Sequence, residues 1–415
     1  MYIPREIDAE IKPFLGRKEA IAIVGPRQAG KTTYIKYLAG QLGADKKVLQ
    51  LTFEKTDDLR LFDDSIEDFK KIAQQFDYVI IDEFQYARNG GKNLKYLYDT
   101  TQVKYIVTGS SSLDLTFQIG KFMVGRILTF EIQPFSFREY LSCGNEFFGL
   151  LKKNIDPKKL LDFKVKNGFG QEINRRISDE LENFVVWGGY PAVALSATDI
   201  EKRKVLESIT DSYLLKDIKG LLNLATEDSL LRLARFLAAQ TGNLIKYGEL
   251  SNVSNLSYKE ILKHLNILEK TFIIRLIRPY FVNRRTELTK NPKSFFVDLG
   301  LRNHLLNDFR PLNARNEAGA IMENYALTAL EKIFFKLPLK YWRTKSKAEV
   351  DFIVEKEGGV IPIEVKYSSK RIIGKSLYSF IDKFKPEKAV ILTKDYLAEE
   401  KLDGCLVQFI PLGYL

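Results

Sequence analysis

Two charged residues interrupt an apolar, β-prone run near the end of the chain. The run is VIPIEVKYS, residues 360–368, and it contains Glu364 and Lys366. Side chains alternate along a strand, so these two residues share one face and their apolar neighbours face the other way. The preceding run EVDFIVEKEGG predicts the first strand of a hairpin and adds Asp351. Two carboxylates held together need a cation, and Mg²⁺ prefers oxygen ligands. We therefore predict a metal site at Asp351 and Glu364, where Lys366 acts on a bound water or stabilises a pentavalent phosphorus.

A helix before this hairpin contributes a further carboxylate. In GAIMENYALTALEKIF, helical spacing places Glu323 on a side that is otherwise glycine, alanine, leucine and phenylalanine. A carboxylate on such a face costs free energy unless it is paired or metal-bound. The solvated face of an ordinary strand would explain the charged pair of the strand but neither Glu323 nor Asp351. The predicted catalytic residues of this region are Glu323, Asp351, Glu364 and Lys366.

The N-terminal part of the chain contains a complete phosphate-binding motif. Residues 25–32, GPRQAGKT, match G-x-x-x-x-G-K-[ST] between a short apolar strand and a helix. The glycines let backbone N–H groups face a phosphate, and the helix adds its positive end. Lys31 would reach the outer phosphates, and the Thr32 hydroxyl would bind Mg²⁺. The predicted nucleotide contacts in this loop are Gly25, Pro26, Arg27, Gln28, Ala29, Gly30, Lys31, Thr32 and Thr33.

Two further strands end in residues that suit nucleotide hydrolysis. The run DYVIIDEFQ ends a strand with Asp82, predicted to hold Mg²⁺, and Glu83, predicted to activate the attacking water. The run KYIVTGSSS ends in hydroxyl groups, of which Ser110 is predicted to sense the γ-phosphate. The sequence thus predicts ATP and Mg²⁺ as cofactors.

Composition limits the class of protein. A chain of 415 residues is too long for one hydrophobic core, and roughly two to four domains are expected. It has no apolar run of the ~18 residues needed to cross a bilayer, and no secretory signal opens it. With only Cys143 and Cys405, neither a disulfide framework nor a cysteine zinc site can form. We expect a cytoplasmic protein without a membrane partner.

The net charge of +11 is unevenly distributed. Residues 1–150 hold 20 basic and 20 acidic side chains, so the whole excess lies in residues 151–415. A basic portion attached to a neutral one suggests a polyanionic partner, most simply DNA. General solubility is the alternative explanation of this charge.

The basic portion contains a predicted winged helix-turn-helix at residues 226–310. Three helical runs precede two strand-like runs, and the capping box of Ser257 and Glu260 marks the start of the third helix. Its predicted buried stripe is Ile261, Leu262, Leu265 and Leu268, and its predicted outward residues are Lys259, Lys263, His264, Asn266 and Lys270. The predicted basic tip between the strands contains Arg284, Arg285, Lys290 and Lys293. Such a third helix enters a DNA groove while the tip contacts phosphates, and protein contacts are the alternative. The predicted DNA-binding residues are Lys259, Lys263, Arg284 and Arg285.

Several runs carry a resemblance to a known family. DEFQ, TGSSS, a Gly-Arg pair, PFSFREYL and WGGYPAVAL resemble, in this order, AAA-type P-loop ATPases with a C-terminal DUF4143 region. YWRTKSKAEVDFIV and VIPIEVKYSS continue that resemblance and also resemble the PD-(D/E)xK nuclease fold. The resemblance implies that Arg126 is an arginine finger, in cis or across the interface of a homo-oligomer. A surface salt bridge is the alternative role for Arg126.

These observations predict an α/β protein in four parts. A P-loop ATPase with a parallel sheet occupies residues 1–144, and a helical region or linker, Lys-rich and irregular over 145–180, occupies 145–225. The winged helix (226–310) and an α/β nuclease-like domain (311–415) follow. The predicted function is ATP binding and hydrolysis by a protein that acts on or binds DNA and has a C-terminal Mg²⁺-dependent nuclease-like domain, and the residues leave open whether that domain cleaves. The alternative is a nucleotide-switched interaction protein whose C-terminal parts bind without cutting, because a fold does not determine an activity.

Overall fold

The computed structural model describes most of the chain. The described residues are 2–43, 45–109, 121–144, 146–218, 228–334, 337–356 and 359–415. Ser110 lies outside these ranges, as does the side chain of Arg284. Within them, no helix has the length and apolar character that a bilayer crossing requires.

The N-terminal part is built on a five-stranded parallel sheet in the order β2-β3-β4-β1-β5. Its strands are β1 (Ala20–Val24), β2 (Val48–Thr52), β3 (Tyr78–Asp82), β4 (Lys104–Gly109) and β5 (Ile127–Glu131). Its helices are α1 (Asp8–Ile11), α2 (Lys31–Gln41), α3 (Thr56–Asp64), α4 (Ile66–Ala73) and α5 (Gly90–Thr100), with 3₁₀ turns at Lys12–Phe14 and Phe84–Tyr86.

Burial on both faces explains why the central strands are continuous apolar runs. One face of the sheet packs against a cluster that contains Phe62, Phe84 and Leu94, and the other packs against Tyr34 and Leu38 of α2. Because all five strands are parallel, the loops that follow β1, β3 and β4 meet at one edge. The parallel sheet predicted for the N-terminal part is thus confirmed.

The Lys-rich stretch 145–180 is not an irregular linker. It forms α7 (Glu146–Asn154), 3₁₀ turns at Pro157–Asp162 and Val165–Asn167, and the first part of α8 (Gln171–Trp187). Apolar residues between the lysines, such as Leu161 and Phe163, are buried in one core with Tyr414 near the C-terminus. The lysines concealed this spacing of apolar residues, which makes the stretch part of the C-terminal core.

Short helices join this core to the next unit. They are α6 (Phe137–Leu141), which precedes α7, then α9 (Pro191–Ala194) and α10 (Asp199–Ile209), followed by a π-helix at Thr210–Ile218.

Three helices and a hairpin occupy residues 228–297, which we call the helix–hairpin unit. Its elements are α11 (Asp228–Ala239), α12 (Tyr247–Ser254), α13 (Tyr258–Lys270), β6 (Ile274–Ile277), α14 (Arg284–Thr289) and β7 (Lys293–Phe296). The capping box at the start of α13 is present. Two expectations for α13 are wrong: Leu262 is 42% exposed, whereas His264 is 2% exposed, with its Nδ1 2.7 Å from the Glu260 carbonyl oxygen.

The C-terminal part is a six-stranded mixed sheet in the order β12-β13-β11-β10-β9-β8. Its strands are β8 (Lys340–Arg343), β9 (Glu349–Lys356), β10 (Gly359–Lys366), β11 (Lys388–Thr393), β12 (Ala398–Leu402) and β13 (Cys405–Pro411). Its helices are α16 (Ala318–Ile333) and α17 (Lys375–Phe384), with a 3₁₀ turn at Leu412–Tyr414. Before it, α15 (Leu299–Leu305) packs against α8 and α11, and a 3₁₀ turn follows at Leu312–Ala314. β9 and β10 form the predicted antiparallel hairpin.

A buried asparagine joins the helix–hairpin unit to α16. The side chain of Asn324 accepts a hydrogen bond from the Phe296 amide at 2.8 Å and donates one to the Phe296 carbonyl at 2.7 Å. Asn324 is fully buried, and its Oδ1 also accepts from the Thr241 hydroxyl at 2.6 Å. The side chain thus acts as one more partner for strand β7.

We expect Asn324→Leu to lower the free energy of unfolding by about 2–5 kcal/mol, because it leaves two buried backbone groups of Phe296 without partners. Chemical denaturation of both proteins measures this change. Asn266→Ala, at an exposed position of α13, should change the value by less than about 0.5 kcal/mol. Equal effects of the two substitutions would show that Asn324 does not hold this joint.

Candidate functional sites

The phosphate loop follows β1 at the edge where the parallel strands end. A Cβ on Gly25, which has φ +156°, would lie 1.9 Å from the Ile132 carbonyl oxygen, so no other residue fits there. Gly30 has φ +93°, a conformation that glycine adopts without cost, and α2 begins at the next residue. The loop therefore points the N-terminus of α2 toward the space that a phosphate would take.

Lys31 is held inside this loop. Its ammonium donates to the carbonyl oxygens of Gly25 at 3.0 Å and Pro26 at 2.8 Å, and the residue is 4% exposed. Burial lowers the pKa of Lys31 to about 8, against the opposing effect of Glu83 and Asp82. A phosphate oxygen carries more negative charge than a carbonyl oxygen. The Lys31 ammonium could therefore exchange its hydrogen bonds to these carbonyl oxygens for hydrogen bonds to a phosphate.

Four side chains converge beside the loop. The Thr32 hydroxyl donates to Asp82 Oδ2 at 2.6 Å, and the Thr108 hydroxyl donates to Asp82 Oδ1. The Glu83 amide donates to Thr108 Oγ1 at 3.2 Å, which turns Glu83 toward the same edge. Hydroxyl and carboxylate oxygens in contact suit Mg²⁺, so the residues present fit the ion predicted at Thr32 and Asp82.

Glu83 has the surroundings of a base. Burial raises the pKa of its carboxyl group, and the Gln85 side chain donates a hydrogen bond to its Oε2. The backbone of Glu83 has φ +54°, which is uncommon for a residue other than glycine and aims the side chain away from β3. Thr108, which lies two residues before Ser110, was not among the predicted contacts, although it ends the same hydroxyl-rich strand.

Arg126 is not an arginine finger for the phosphate loop of its own chain. Its carbonyl oxygen accepts from the Ala20 amide at 2.8 Å, at the start of β1. Five residues of strand, about 16 Å, separate that end of the sheet from the phosphate loop. Its guanidinium pairs with Asp99 at 3.0 Å and is 37% exposed. The surface salt bridge predicted as the alternative is the contact that it makes.

Arg5 is a buried contact of the loop that sequence reasoning missed. Its Nη1 donates to the Ala29 carbonyl at 2.9 Å, and its Nε lies 3.1 Å from Glu139 Oε1. Glu139 also closes the capping box of α6 with Ser136, and the S-x-x-E spacing predicts that cap. Nothing local in the sequence indicates that residue 5 reaches it.

The second candidate site is an acidic cluster in the C-terminal part. Its carboxylates come from Glu323 on α16, Glu349 and Asp351 on β9, and Glu364 on β10. Glu364 is 1% exposed and lies 3.2 Å from the Lys366 ammonium. Asp351 Oδ2 accepts from the Val365 amide at 2.8 Å. The structure thus brings together all four residues predicted for this region.

A lysine from another unit enters this cluster. Lys293 of β7 was predicted at an exposed basic tip, but it is 2% exposed. Its ammonium lies 2.9 Å from Glu323 Oε1 and 2.6 Å from Glu349 Oε1. Burial and Asp351 raise the pKa of Glu323, while Lys293 opposes that rise. Burial raises the pKa of Glu364 to about 7.

The metal ion predicted at Asp351 and Glu364 stays a prediction. Throughout the described ranges, no three Asp, Glu, His or Cys side chains are arranged to ligate one ion. In this cluster the ammonium of Lys293 contacts Glu323 and Glu349, and that of Lys366 contacts Glu364.

The predicted DNA-binding residues lie on the helix–hairpin unit. Lys259 and Lys263 are exposed on α13, and Arg285 is exposed on α14. Tyr258 and Leu262 of α13 are also exposed, at 59% and 42%. The hairpin tip itself packs against the C-terminal sheet, because Glu287 of α14 pairs with Lys340 of β8 at 2.7 Å.

Three families match successive parts of the chain. Residues 17–141 match the AAA domain, residues 178–312 match the domain of unknown function DUF8612, and residues 318–415 match the domain of unknown function DUF4143. The N-terminal part is therefore similar to AAA domains, and the C-terminal part is similar to DUF4143 domains. Between these two regions, the DUF8612 match includes the second part of α8, from residue 178, and the whole helix–hairpin unit.

Relatives cover almost the whole chain. An uncharacterized protein of Haemophilus influenzae is 25% identical over 404 residues, which span 94% of this chain and 92% of that protein. An uncharacterized protein of Methanocaldococcus jannaschii is 24% identical over 422 residues, spanning 96% and 85%.

Solved structures give weaker matches. The ADP form of the Aeropyrum pernix ORC2 protein has a TM-score of 0.34 and 14% identity, covering 80% of this chain and 95% of that chain. Pif1 of Bacteroides sp., in complex with ADP-AlF4, has a TM-score of 0.23 and 14% identity, covering 44% and 57%.

We expect Arg126→Ala in the AAA domain to keep ATP hydrolysis within about twofold of wild type, since a half-exposed salt bridge contributes little. Steady-state phosphate release measures this. Lys31→Ala serves as the inactive reference. A loss of ~10³-fold would instead show that Arg126 reaches the γ-phosphate of a neighbouring chain.

Proposed function

We propose that the AAA domain binds ATP with Mg²⁺ and hydrolyses it, and that this cycle controls the engagement of DNA by the helix–hairpin unit. The observation that carries the first half is the contact of Thr32, Asp82 and Thr108 beside Lys31 and Glu83. Magnesium bound with ATP would neutralise the phosphates. Lys31 would bind the outer phosphates, and Thr32 and Asp82 would hold the ion.

Glu83 would orient and deprotonate the attacking water. Its raised pKa suits a group that accepts a proton near neutral pH. In this structure the side-chain amide of Gln85 donates a hydrogen bond to Glu83 Oε2. This hydrogen bond would have to break before a water molecule could donate to the same oxygen. The Glu83–Gln85 contact is therefore a resting arrangement of the base.

Contacts between the phosphate loop and the helix–hairpin unit support the coupling. A Cβ on Gly30 would lie 3.7 Å from Pro191 Cγ, so the WGGYP turn touches the loop. Gly189 of that turn accepts from the Phe135 amide at 2.6 Å and donates to Asp298 Oδ2 at 2.7 Å. Asp298 lies two residues after the end of β7 and caps α15. A shift of the loop on nucleotide binding would be transmitted through this turn.

Charge supports DNA as the partner. The excess of 11 positive charges lies in residues 151–415, and Lys259 and Lys263 are exposed one helical turn apart on α13. An aromatic ring, Tyr258, is exposed beside them and could stack on a base. The exposed Leu262 on the same helix favours a second candidate, a protein partner bound by α13.

Two substitutions should separate nucleotide binding from hydrolysis. Lys31→Ala should weaken ATP binding at least ~10-fold, about 1.4 kcal/mol, because it removes a cation from the phosphate site. Glu83→Gln should bind ATP normally but lose at least ~10²-fold in turnover, since the amide cannot accept the proton of water. Fluorescent-nucleotide titration and phosphate release measure the two effects.

Glu54→Gln is the matched control for the Glu83 substitution. Glu54 is exposed and acts electrostatically on Glu83, and its loss should leave turnover nearly unchanged. Wild-type hydrolysis by the Glu83→Gln variant would refute the role given to Glu83.

DNA binding should depend steeply on salt. Each neutralised phosphate contributes a slope of about −0.9 in log affinity against log salt, so Lys259→Ala with Lys263→Ala should flatten the slope by roughly 1.8 units. Lys46→Ala with Lys71→Ala, at positions 45% and 74% exposed on the AAA domain, should leave the slope unchanged. Fluorescence anisotropy at several salt concentrations measures both. Absence of binding at low salt would favour the protein partner.

A further inference from the structure

We propose that Lys293 is the resident cation of the DUF4143 acidic cluster and closes that cluster to divalent metal ions. The C-terminal domain then uses its nuclease-like carboxylates to hold the helix–hairpin unit and not to cleave a phosphodiester bond.

The position of Lys293 carries this proposal. Its ammonium contacts Glu323 and Glu349 at 2.9 and 2.6 Å, and its charge also acts on Asp351. The Tyr341 ring centroid lies 5.6 Å from the same ammonium and adds a cation–π contact. A magnesium ion needs ligands at 2.0–2.1 Å and several waters. The Lys293 ammonium already contacts Glu323 and Glu349, so a magnesium ion in this cluster would compete with it for the charge of these carboxylates.

The backbone around Lys293 keeps the side chain in place. Lys293 pairs with Ile277 in the hairpin and forms a bridge with Leu244 on its other side. Three residues later, Phe296 is fixed to α16 by Asn324. The lysine cannot leave the cluster unless the hairpin separates from α16, so it differs from a mobile surface lysine.

Cations also pair with the other carboxylates of the cluster. Lys366 pairs with Glu364, and Arg343 Nη1 pairs with Glu349 Oε2 at 2.8 Å. A Cβ on Gly374 would lie 3.3 Å from Glu364 Oε2, which shows that the loop before α17 covers this carboxylate. Lys293, Lys366 and Arg343 therefore provide three cations for four carboxylates, and Glu364 is only 1% exposed.

The test is Mn²⁺ binding to the full-length, nucleotide-free protein, followed by electron paramagnetic resonance. Wild type and the Asp351→Asn variant should bind the same number of Mn²⁺ ions. Lys293→Met, which keeps the length of the side chain without its charge, should gain one Mn²⁺ site per chain. The double variant Lys293→Met with Asp351→Asn should lose it, and Lys293→Arg should behave as wild type, because it keeps the cation.

Thermal stability gives a second readout. Lys293→Met leaves Glu323 without its cation, so its Tm should fall below that of wild type and rise again with Mn²⁺, since a ligand of the folded state stabilises it. Wild type and Lys293→Arg should show no such rise.

Two results would overturn the proposal. One is a wild-type Mn²⁺ site that Asp351→Asn abolishes. The other is a folded Lys293→Met protein that gains no site, which would mean that something other than the lysine excludes the ion. If Lys293→Met does not fold, the comparison of wild type with Asp351→Asn still decides whether the cluster binds metal.

Discussion

The buried carboxylate of Asp298 is the contact on which the arrangement of the three parts depends. Asp298 is 5% exposed and accepts from the amides of Gly189 at 2.7 Å and Leu301 at 2.8 Å. Burial raises its pKa to about 6, and the backbone N–H groups that donate to it oppose that rise. A Cβ on Gly188 would lie 2.4 Å from Asp298 Oδ1, and one on Gly189 would lie 2.2 Å from the Phe135 carbonyl oxygen. Only glycines let the turn pass between the AAA domain and the helix–hairpin unit.

The ATPase site could be predicted because its residues follow one another along each strand. Eight consecutive residues define the phosphate loop, and a parallel sheet brings the ends of β1, β3 and β4 together whatever the loops between them contain. The role of Arg126 could not be predicted without knowing at which end of β5 the residue lies. A Gly-Arg pair before a strand and one after it look alike in sequence, but they lie at opposite edges of the sheet. Arg5 was missed because a contact across 134 residues, to Glu139, leaves no local pattern.

The carboxylates of the acidic cluster could be predicted from local periodicity, but the lysine that contacts them could not. Helical and strand periodicity placed Glu323, Asp351 and Glu364 on faces that could meet, and the hairpin of β9 and β10 aligned two of them. Lys293 was assigned to an exposed tip because charged residues surround it in sequence. Its burial results from the docking of β7 against α16, where Asn324 pairs with the strand. Tertiary contact between two units thus reversed the environment that the local sequence indicated, and with it the chemistry expected of the carboxylates.

Two buried lysines show how the same side chain serves opposite purposes. Lys31 and Lys293 are 4% and 2% exposed, so each has lost nearly all of its hydration. Neutral carbonyl oxygens accept the hydrogen bonds of the Lys31 ammonium, and burial lowers the pKa of Lys31 to about 8. An anion that binds beside this ammonium would therefore stabilise its positive charge. Carboxylates surround Lys293 and raise its pKa, so its charge is already compensated. Lys31 is the proposed contact for phosphate. Lys293 is already paired with carboxylates, and a further cation in this cluster would compete with it for their charge.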